Sequence, residues 1–388
     1  MGHLLAKYAL LVVCGAPFVY YFLVLFSSWR YFHSRSDAVI PNSSYTPPVS
    51  ILKPVRGLDP DAYENFASFC KQDYPAYEIL FCVGDASDPV VPVIEKLTMD
   101  FPEHEIRLLY GSGRDATNDK VAKLARLTQE ARYDTLVIND SDVRAEASYL
   151  RKVVAPLANP KVGAVTCFYV PTHETNVVQR LQSVGMLSDF YPGILVGWLL
   201  DGVKFALGPT IATTRERVKG FGGFEAIENR PGDDLLVGRL IAEQGYEVKL
   251  LRYWVDTVAD FHSIRDLVLK RLRWMTVMRH MRPWGHFGLL FTLGLPWSII
   301  AGLVSHSVSV GLAYLGIYFA FRVAMTWIVG SWGLKQPFHL RYLLLIPLWD
   351  ALAVGIWLRS FTRKTISWRN HEYYIRNGEL VPVGSAAD

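Results

Sequence analysis

Cysteine is scarce in this chain: four residues in 388, at positions 14, 70, 82 and 167. None pairs with another at a metal-ligand or disulfide-framework spacing, so neither a zinc site nor a cross-linked scaffold is suggested. Three of the four sit in apolar stretches and read as small buried hydrophobes, which fits a reducing compartment. Internal repeats and low-complexity tracts are also missing. Charge of one sign does not dominate either. Lys and Arg number 40 against 36 Asp and Glu, for a net charge of +4, and no nucleic-acid partner is expected. No small-x-small cleavage site follows the apolar N-terminus, which argues against a removable signal peptide.

What is abundant is apolar sequence, at 51% of residues and a mean hydropathy of +0.17. It is concentrated in the first thirty residues and the last hundred. The chain is long enough for one large catalytic domain plus membrane segments. Residues 8–29 form an uncharged apolar run of 22 positions, enough to cross a hydrocarbon core of ~30 Å. Arg30 and Arg35 follow at once, so the next domain is expected on the cytoplasmic face. Further apolar stretches cover 287–304, 308–330 and 340–358, trailed by Arg359, Arg363, Lys364 and Arg369. Both flanks of that region look cytoplasmic, yet three crossings would put them on opposite sides. The stretch 287–304, short and interrupted by Pro296, is therefore expected to be re-entrant or interfacial. Charges at membrane depth are costly and usually pair, so Arg322 and Asp350 are expected to meet.

The segment 262–282 carries Arg265, Lys270, Arg271, Arg273, Arg279 and Arg282 against Asp266. Such a basic stretch beside an apolar one suits anionic headgroups of the lipid bilayer. The resulting division is an anchor at 1–36, a cytoplasmic domain at 37–286, a membrane region at 287–358 and a cytoplasmic tail at 359–388. In short, a multi-pass integral membrane protein is expected.

Residues 37–48, rich in Pro, Ser and Asn, read as a linker. Beyond them, strand-like runs at 48–55, 77–84, 106–110, 135–139 and 162–169 alternate with helix-like stretches at 59–72, 89–100, 118–131 and 146–157. That alternation implies βαβ units and a mostly parallel sheet in an α/β domain. The part after about 170 reads as less regular.

Carboxylates stand at the ends of the strand-like runs, where an α/β sheet places its ligand chemistry. Asp85 ends the run 79–84 and opens a turn; it could accept hydrogen bonds from a base or ribose, or simply cap that turn. Asp140 and Asp142 end the run 135–139. In an extended segment residues two apart point the same way, and such a pair suits a hard divalent cation, which in turn suits a diphosphate. Asn118 and Lys120 open the helix 118–131, where backbone N–H groups and an ammonium suit phosphate, the alternative being an ordinary cap. Asp233 and Asp234 follow Gly232 at the start of another helix. Asp234 is a candidate general base and Asp233 a supporting residue, against a structural alternative of N-capping. Arg273 can neutralise a diphosphate, and Trp274 can stack on a sugar. An amphipathic helix on headgroups is the alternative for that segment.

These stretches, in this order, resemble the membrane-bound family-2-type glycosyltransferases of the GT-A fold. Within these the ceramide glucosyltransferases, and the bacterial hopanoid-biosynthesis glycosyltransferases, are most similar. The resemblance covers roughly 48–283 and is carried by PVSILKPVRGLDP at 48–60, YEILFCVGDASDP at 77–89, NDKVAKL at 118–124, LVINDSDVRA at 136–145, GPTIATTRERVKGFGGFEA at 208–226, GDDLLVGRL at 232–240 and KRLRWMTVMR at 270–279. It implies a UDP-sugar donor, a membrane-lipid acceptor and Mg2+ or Mn2+ as cofactor. It further implies that Asp85 contacts the nucleotide, that Asp140 and Asp142 hold the metal and sugar diphosphate, that Asp234 is the catalytic base, and that Arg273 and Trp274 belong to the family's Gln-x-x-Arg-Trp element. Lys270 stands where that element often has Gln or Arg, and Asp233 where Glu often precedes the base. Glucose transfer to ceramide is the leading expectation, with N-acetylglucosamine transfer to a hopanoid second. A processive polysaccharide synthase would need more membrane helices. A silent nucleotide-sugar-binding scaffold is disfavoured by the intact Asp140, Asp142, Asp234 and Arg273.

Overall fold

The computed structural model describes residues 2–34, 43–172, 174–258, 261, 263–336, 342–368 and 371–384. Arg35, Arg369 and the first half of the proline-rich linker lie outside these residues. The chain forms two compact units. One comprises Arg35–His173, Val203–Asp260 and Arg376–Asp388; the other comprises Met1–Ser34, Glu174–Gly202 and Phe261–Ile375.

The first unit is built on an eight-stranded sheet. Its strands are β1 (Val49–Pro54), β2 (Tyr77–Val83), β3 (Glu105–Tyr110), β4 (Thr135–Ile138), β5 (Val143–Arg144), β6 (Val162–Thr172), β7 (Ile211–Thr214) and β8 (Glu247–Val258). They lie in the order β3-β2-β1-β4-β7-β6-β8-β5. The first four are parallel, β7 runs antiparallel to β4 and β6, β6 and β8 are parallel, and β5 is antiparallel to β8.

The sequence explains this arrangement. β1 is buried at every position and β2 at all but its first, as strands covered on both faces must be. On one face Ile51, Ile79 and Phe81 pack with Phe66, Phe69, Ile94 and Leu97 from the helices Ala62–Cys70 and Val91–Asp100. The helix Asp119–Glu130 packs against β1 and β2 through the buried Val121, Leu124 and Leu127.

At the rim of the sheet a fully buried carboxylate, Glu78, is satisfied by the Ser50 hydroxyl at 2.6 Å, the Arg132 backbone N–H at 2.7 Å and Arg107 at 3.2 Å. Without those donors a buried carboxylate would be strongly destabilising.

All five expected strands and all four expected helices of this region are present, with ends shifted by a few residues. β5, β7 and β8 were not anticipated. β8 is the largest omission, and its burial alternates along most of its length, a period-two pattern legible in Val248, Leu250, Tyr253 and Val255.

The second unit is mainly helical, with an antiparallel pair of strands, Thr365–Trp368 and His371–Arg376, near its end. Among its described residues, three helices are long and apolar enough to cross a membrane: Leu4–His33, Val177–Asp201 and Val308–Gly333. The pair Pro283–Thr292 and Gly294–Ser305, bent by 55°, would make a fourth if it is one span. The bend falls at Leu293, just before Pro296, so a break in this stretch was legible in the sequence. Val177–Asp201 was not anticipated, although residues 184–200 carry one charge, Asp189. The helix Leu345–Thr362, which holds Asp350 and Arg359, is not among the three.

The expected polar contact inside this unit is present. Nε of Arg322 donates to Oδ2 of Asp350 at 2.8 Å, Nη2 donates to Oδ1, and the Tyr318 hydroxyl donates to Oδ2 at 2.6 Å. Both charged side chains are buried. All four cysteines are free and buried.

Candidate active site

The site is assembled at the C-terminal ends of β1, β2 and β4, together with the loop before β7 and the start of the helix Asp233–Glu243. Asp140 follows β4. The chain then turns through Ser141 and Asp142 before β5 begins. The alternation of an extended segment therefore ends at this point, and the turn itself, not strand geometry, aims the two carboxylates. Asn139, just before, anchors the end of β4. Its side-chain amide donates to the Pro209 carbonyl and to the Tyr149 hydroxyl, both at 2.7 Å.

Lys120 is the centre of the cluster. Its Nζ lies 2.7 Å from Oδ1 of Asp140 and 3.1 Å from Oδ2 of Asp233. This one ammonium joins the acid after β4 to the acid pair that opens the helix Asp233–Glu243. The surrounding carboxylates of Asp140, Asp233 and Asp234 outweigh burial and raise the Lys120 pKa, so it stays charged. Asn118 caps the helix that carries Lys120: its side chain accepts from the Val121 N–H at 3.3 Å, and its own amide nitrogen donates to the Arg230 carbonyl at 3.0 Å. Of the two readings of Asn118, the cap is the contact observed.

Asp234 is partly exposed. Its Oδ2 accepts from the Gly208 N–H at 3.1 Å and its Oδ1 from the Leu235 N–H at 2.9 Å. Burial, and next the negative charge of Asp233, push its pKa up to about 6, while Lys120 pulls the other way. A carboxylate poised there can accept a proton near neutral pH. Gly208 is the pivot of the arrangement. A Cβ on it would lie 3.1 Å from Oδ2 of Asp140 and 3.4 Å from Oδ2 of Asp234.

Asp85 is exposed and engaged in its own turn. Its Oδ1 accepts from the Ser87 N–H at 2.8 Å and from the Ser87 hydroxyl, contacts that hold its pKa below the ordinary value. Lys270, Arg273 and Trp274 lie in the helix Ile264–Met281 of the other unit. There Nζ of Lys270 is 5.7 Å from the Trp274 ring centroid and 4.8 Å from that of Phe261, and Trp274 packs on Phe190 with centroids 5.7 Å apart.

Three residues of the sheet unit escaped the sequence reading. Lys53 in β1 is fully buried. Its Nζ lies 3.6 Å from the Phe69 ring centroid and donates to the Asp140 carbonyl at 3.3 Å. Burial lowers its pKa to about 7, opposed by Asp140 and Asp142. Lys123, also buried, donates to the Val55 carbonyl and to Asp119, both at 2.9 Å. Asp59 accepts from the Ser141 hydroxyl. A lysine inside the apolar strand VSILKP was the available signal, since buried lysines are rare unless paired.

Among the described residues no group of three or more His, Cys, Asp or Glu side chains is suited to hold a metal. The Asp140–Asp142 pair nevertheless has the right chemistry for a cation of the Mg2+ type. Such ions usually take one or two carboxylates and complete their shell with substrate phosphates and water.

The sequence profile of glycosyl transferase family 21 matches residues 9–381. Ceramide glucosyltransferase 3 of Caenorhabditis elegans is 22% identical over 386 residues, covering 96% of this chain and 83% of its own. A ceramide glucosyltransferase of Candida albicans is 36% identical over 122 residues, 28% of this chain and 22% of its own. Among solved structures, a mannosyltransferase from Pyrobaculum calidifontis in complex with GDP-Man and Mn2+ superposes with a TM-score of 0.58 at 19% identity. The match covers 89% of this chain and 98% of that one. This likeness shows the GT-A fold.

Proposed function

The chain belongs to glycosyl transferase family 21, and from that premise we propose that it transfers glucose from UDP-glucose to a hydroxyl of a ceramide-type membrane lipid, with inversion at the anomeric carbon. The observation that carries this reading is the convergence of Asp140, Asp233 and Asp234 on Lys120 and Gly208. It joins a diphosphate-holding acid to a candidate base with a raised pKa. Ceramide as acceptor is supported by the relatives named above and by three helices fit to cross a membrane. We place the catalytic unit on the cytoplasmic face, on the strength of Arg30, which comes directly after the uncharged apolar run 8–29.

In this account Asp85 contacts the nucleotide. Asn118 and Lys120 lie toward the phosphates, and Asp140 and Asp142 hold Mg2+ or Mn2+. When bound, the cation supplies positive charge to the departing diphosphate. Arg273 adds to that charge, Trp274 shapes the sugar or acceptor slot, and Lys270 and Asp233 support their neighbours. The acceptor oxygen attacks the anomeric carbon from the face opposite the diphosphate. A new glycosidic C–O bond forms as the C–O bond to UDP breaks, UDP leaves with the bonding electrons, and the hydroxyl proton passes to Asp234.

The anomeric configuration of the purified product tests this chemistry. A β-linked glycolipid from an α-linked donor is expected; an α-linked product would contradict direct displacement and the role of Asp234.

A further inference from the structure

We propose that the loop after β1, residues 55–59, is the positioning hub of the donor site, and that Asp59 and Lys53 are positioning residues that set the conformation of the Asp140-Ser141-Asp142 turn. The inference rests on the reading above that this turn holds the cation and diphosphate.

Five contacts carry it. The Ser141 hydroxyl donates to Oδ2 of Asp59. Nζ of Lys53 donates to the carbonyl of Asp140 at 3.3 Å. The Gly57 N–H donates to both carboxylate oxygens of Asp88 at 3.0 Å. Oδ1 of Asp88 also accepts from the Val90 N–H at 3.1 Å, in the turn that begins with Asp85. Nζ of Lys123 donates to the Val55 carbonyl at 2.9 Å and so ties the helix bearing Lys120 to the same loop. One five-residue segment is therefore bonded to the three elements of the sheet unit that carry Asp85, Lys120 and Asp140.

The turn at 140–142 is held at its far end by the Val258 N–H, which donates to the Asp142 carbonyl at 3.1 Å, and by Lys120 on the Asp140 carboxylate; the loop 55–59 and Lys53 hold its first two residues. It joins the end of β4 to a strand of two residues, and its carboxylates can aim only as well as its backbone is held. Lys53 and Asp59 act on successive residues of it, one on a carbonyl and one on a side chain. Lys53 is fully enclosed, and a buried N–H donor keeps its acceptor because losing it is costly. Groups that orient metal-holding carboxylates contribute to affinity without touching the metal.

The test is Mn2+ binding to the purified full chain in detergent with UDP present, read by electron paramagnetic resonance of free Mn2+. UDP binding without metal and thermal unfolding serve as independent readouts. Asp59→Ala and Ser141→Ala should each weaken Mn2+ binding by about 10–100-fold, with UDP binding alone unchanged. The double variant should be no weaker than either single, because both remove one hydrogen bond. Asp59→Asn, which keeps an acceptor oxygen, should recover most of the loss, and Lys53→Met should weaken the same constant. If Asp59→Ala fails to fold, Ser141→Ala, the smaller truncation, carries the test. Wild-type-like Mn2+ binding in the alanine variants, or additive losses in the double, would overturn the positioning role and leave the donor site intact. A wild-type chain that binds no Mn2+ with UDP would overturn both.

Discussion

The backbone N–H of Gly208 donates to Oδ2 of Asp234 at 3.1 Å, and a Cβ on Gly208 would lie within 3.4 Å of carboxylate oxygens of both Asp234 and Asp140. The loop before β7 therefore both holds the candidate base and sets how near it comes to the acid after β4. Gly208→Ala should force the two carboxylates apart while leaving the fold in place. A fall in kcat of about 100-fold is expected, with the unfolding temperature lowered by only a few degrees. Steady-state kinetics beside thermal unfolding decide it; unchanged kcat would show that this spacing does not matter to turnover.

Asp234 gives the pH dependence. Its pKa moves from an ordinary 3.8 to about 6 through burial and the charge of Asp233. The folded state thus favours the protonated carboxyl. That contribution to stability is full below the unfolded pKa and is lost as pH rises through about 6. A base must be deprotonated, so kcat/KM should rise with pH across the same region. Asp233→Asn removes a neighbouring negative charge and should move this acid limb to lower pH. Lys120→Met removes a positive one and should move it higher. A limb that stays put in both variants would assign it to another group.

The Arg322–Asp350 pair should be structural. Asp350→Ala leaves a buried guanidinium without its carboxylate and should cost about 3–5 kcal/mol of stability. Arg322→Met combined with Asp350→Leu removes both charges and should be far milder. Thermal unfolding of the purified variants checks this. A double variant as unstable as the single would mean the pair contributes more than mutual compensation.

Chelation should remove activity and restoring Mn2+ or Mg2+ should return it, with Asp142→Asn raising the metal concentration needed for half-activation. Full turnover after exhaustive chelation would contradict the assignment of Asp140 and Asp142.

Sequence alone revealed the parallel half of the sheet, because β1, β2 and β4 are mostly apolar, interrupted by Ser50, Lys53 and Glu78, and each ends in a turn or acid with few other readings. It also revealed the Arg322–Asp350 contact, since two opposite charges in apolar helices have little else to pair with. It did not reveal that Lys120 bridges Asp140 and Asp233. Those residues are brought together by the insertion of β7 between β4 and β6, a topological fact with no local signature. Asp59 was hidden for a similar reason: in a loop of the form Arg-Gly-Leu-Asp-Pro an acid looks like an ordinary turn residue, and only its long-range contact with Ser141 marks it. The helix Val177–Asp201 is hard to see in the sequence because Gln179, Arg180, Gln182, Ser183, Ser188 and Asp189 interrupt the apolar run.

Glucosyl transfer to ceramide is read directly by incubating the purified, detergent-solubilised protein with UDP-glucose, ceramide and Mn2+ and resolving the products by mass, with Asp234→Asn in parallel. The account predicts a single hexose added to ceramide by the wild type and none by the variant. A wild type that leaves ceramide unmodified, while adding N-acetylhexosamine from UDP-N-acetylglucosamine to a hopanoid, would contradict it.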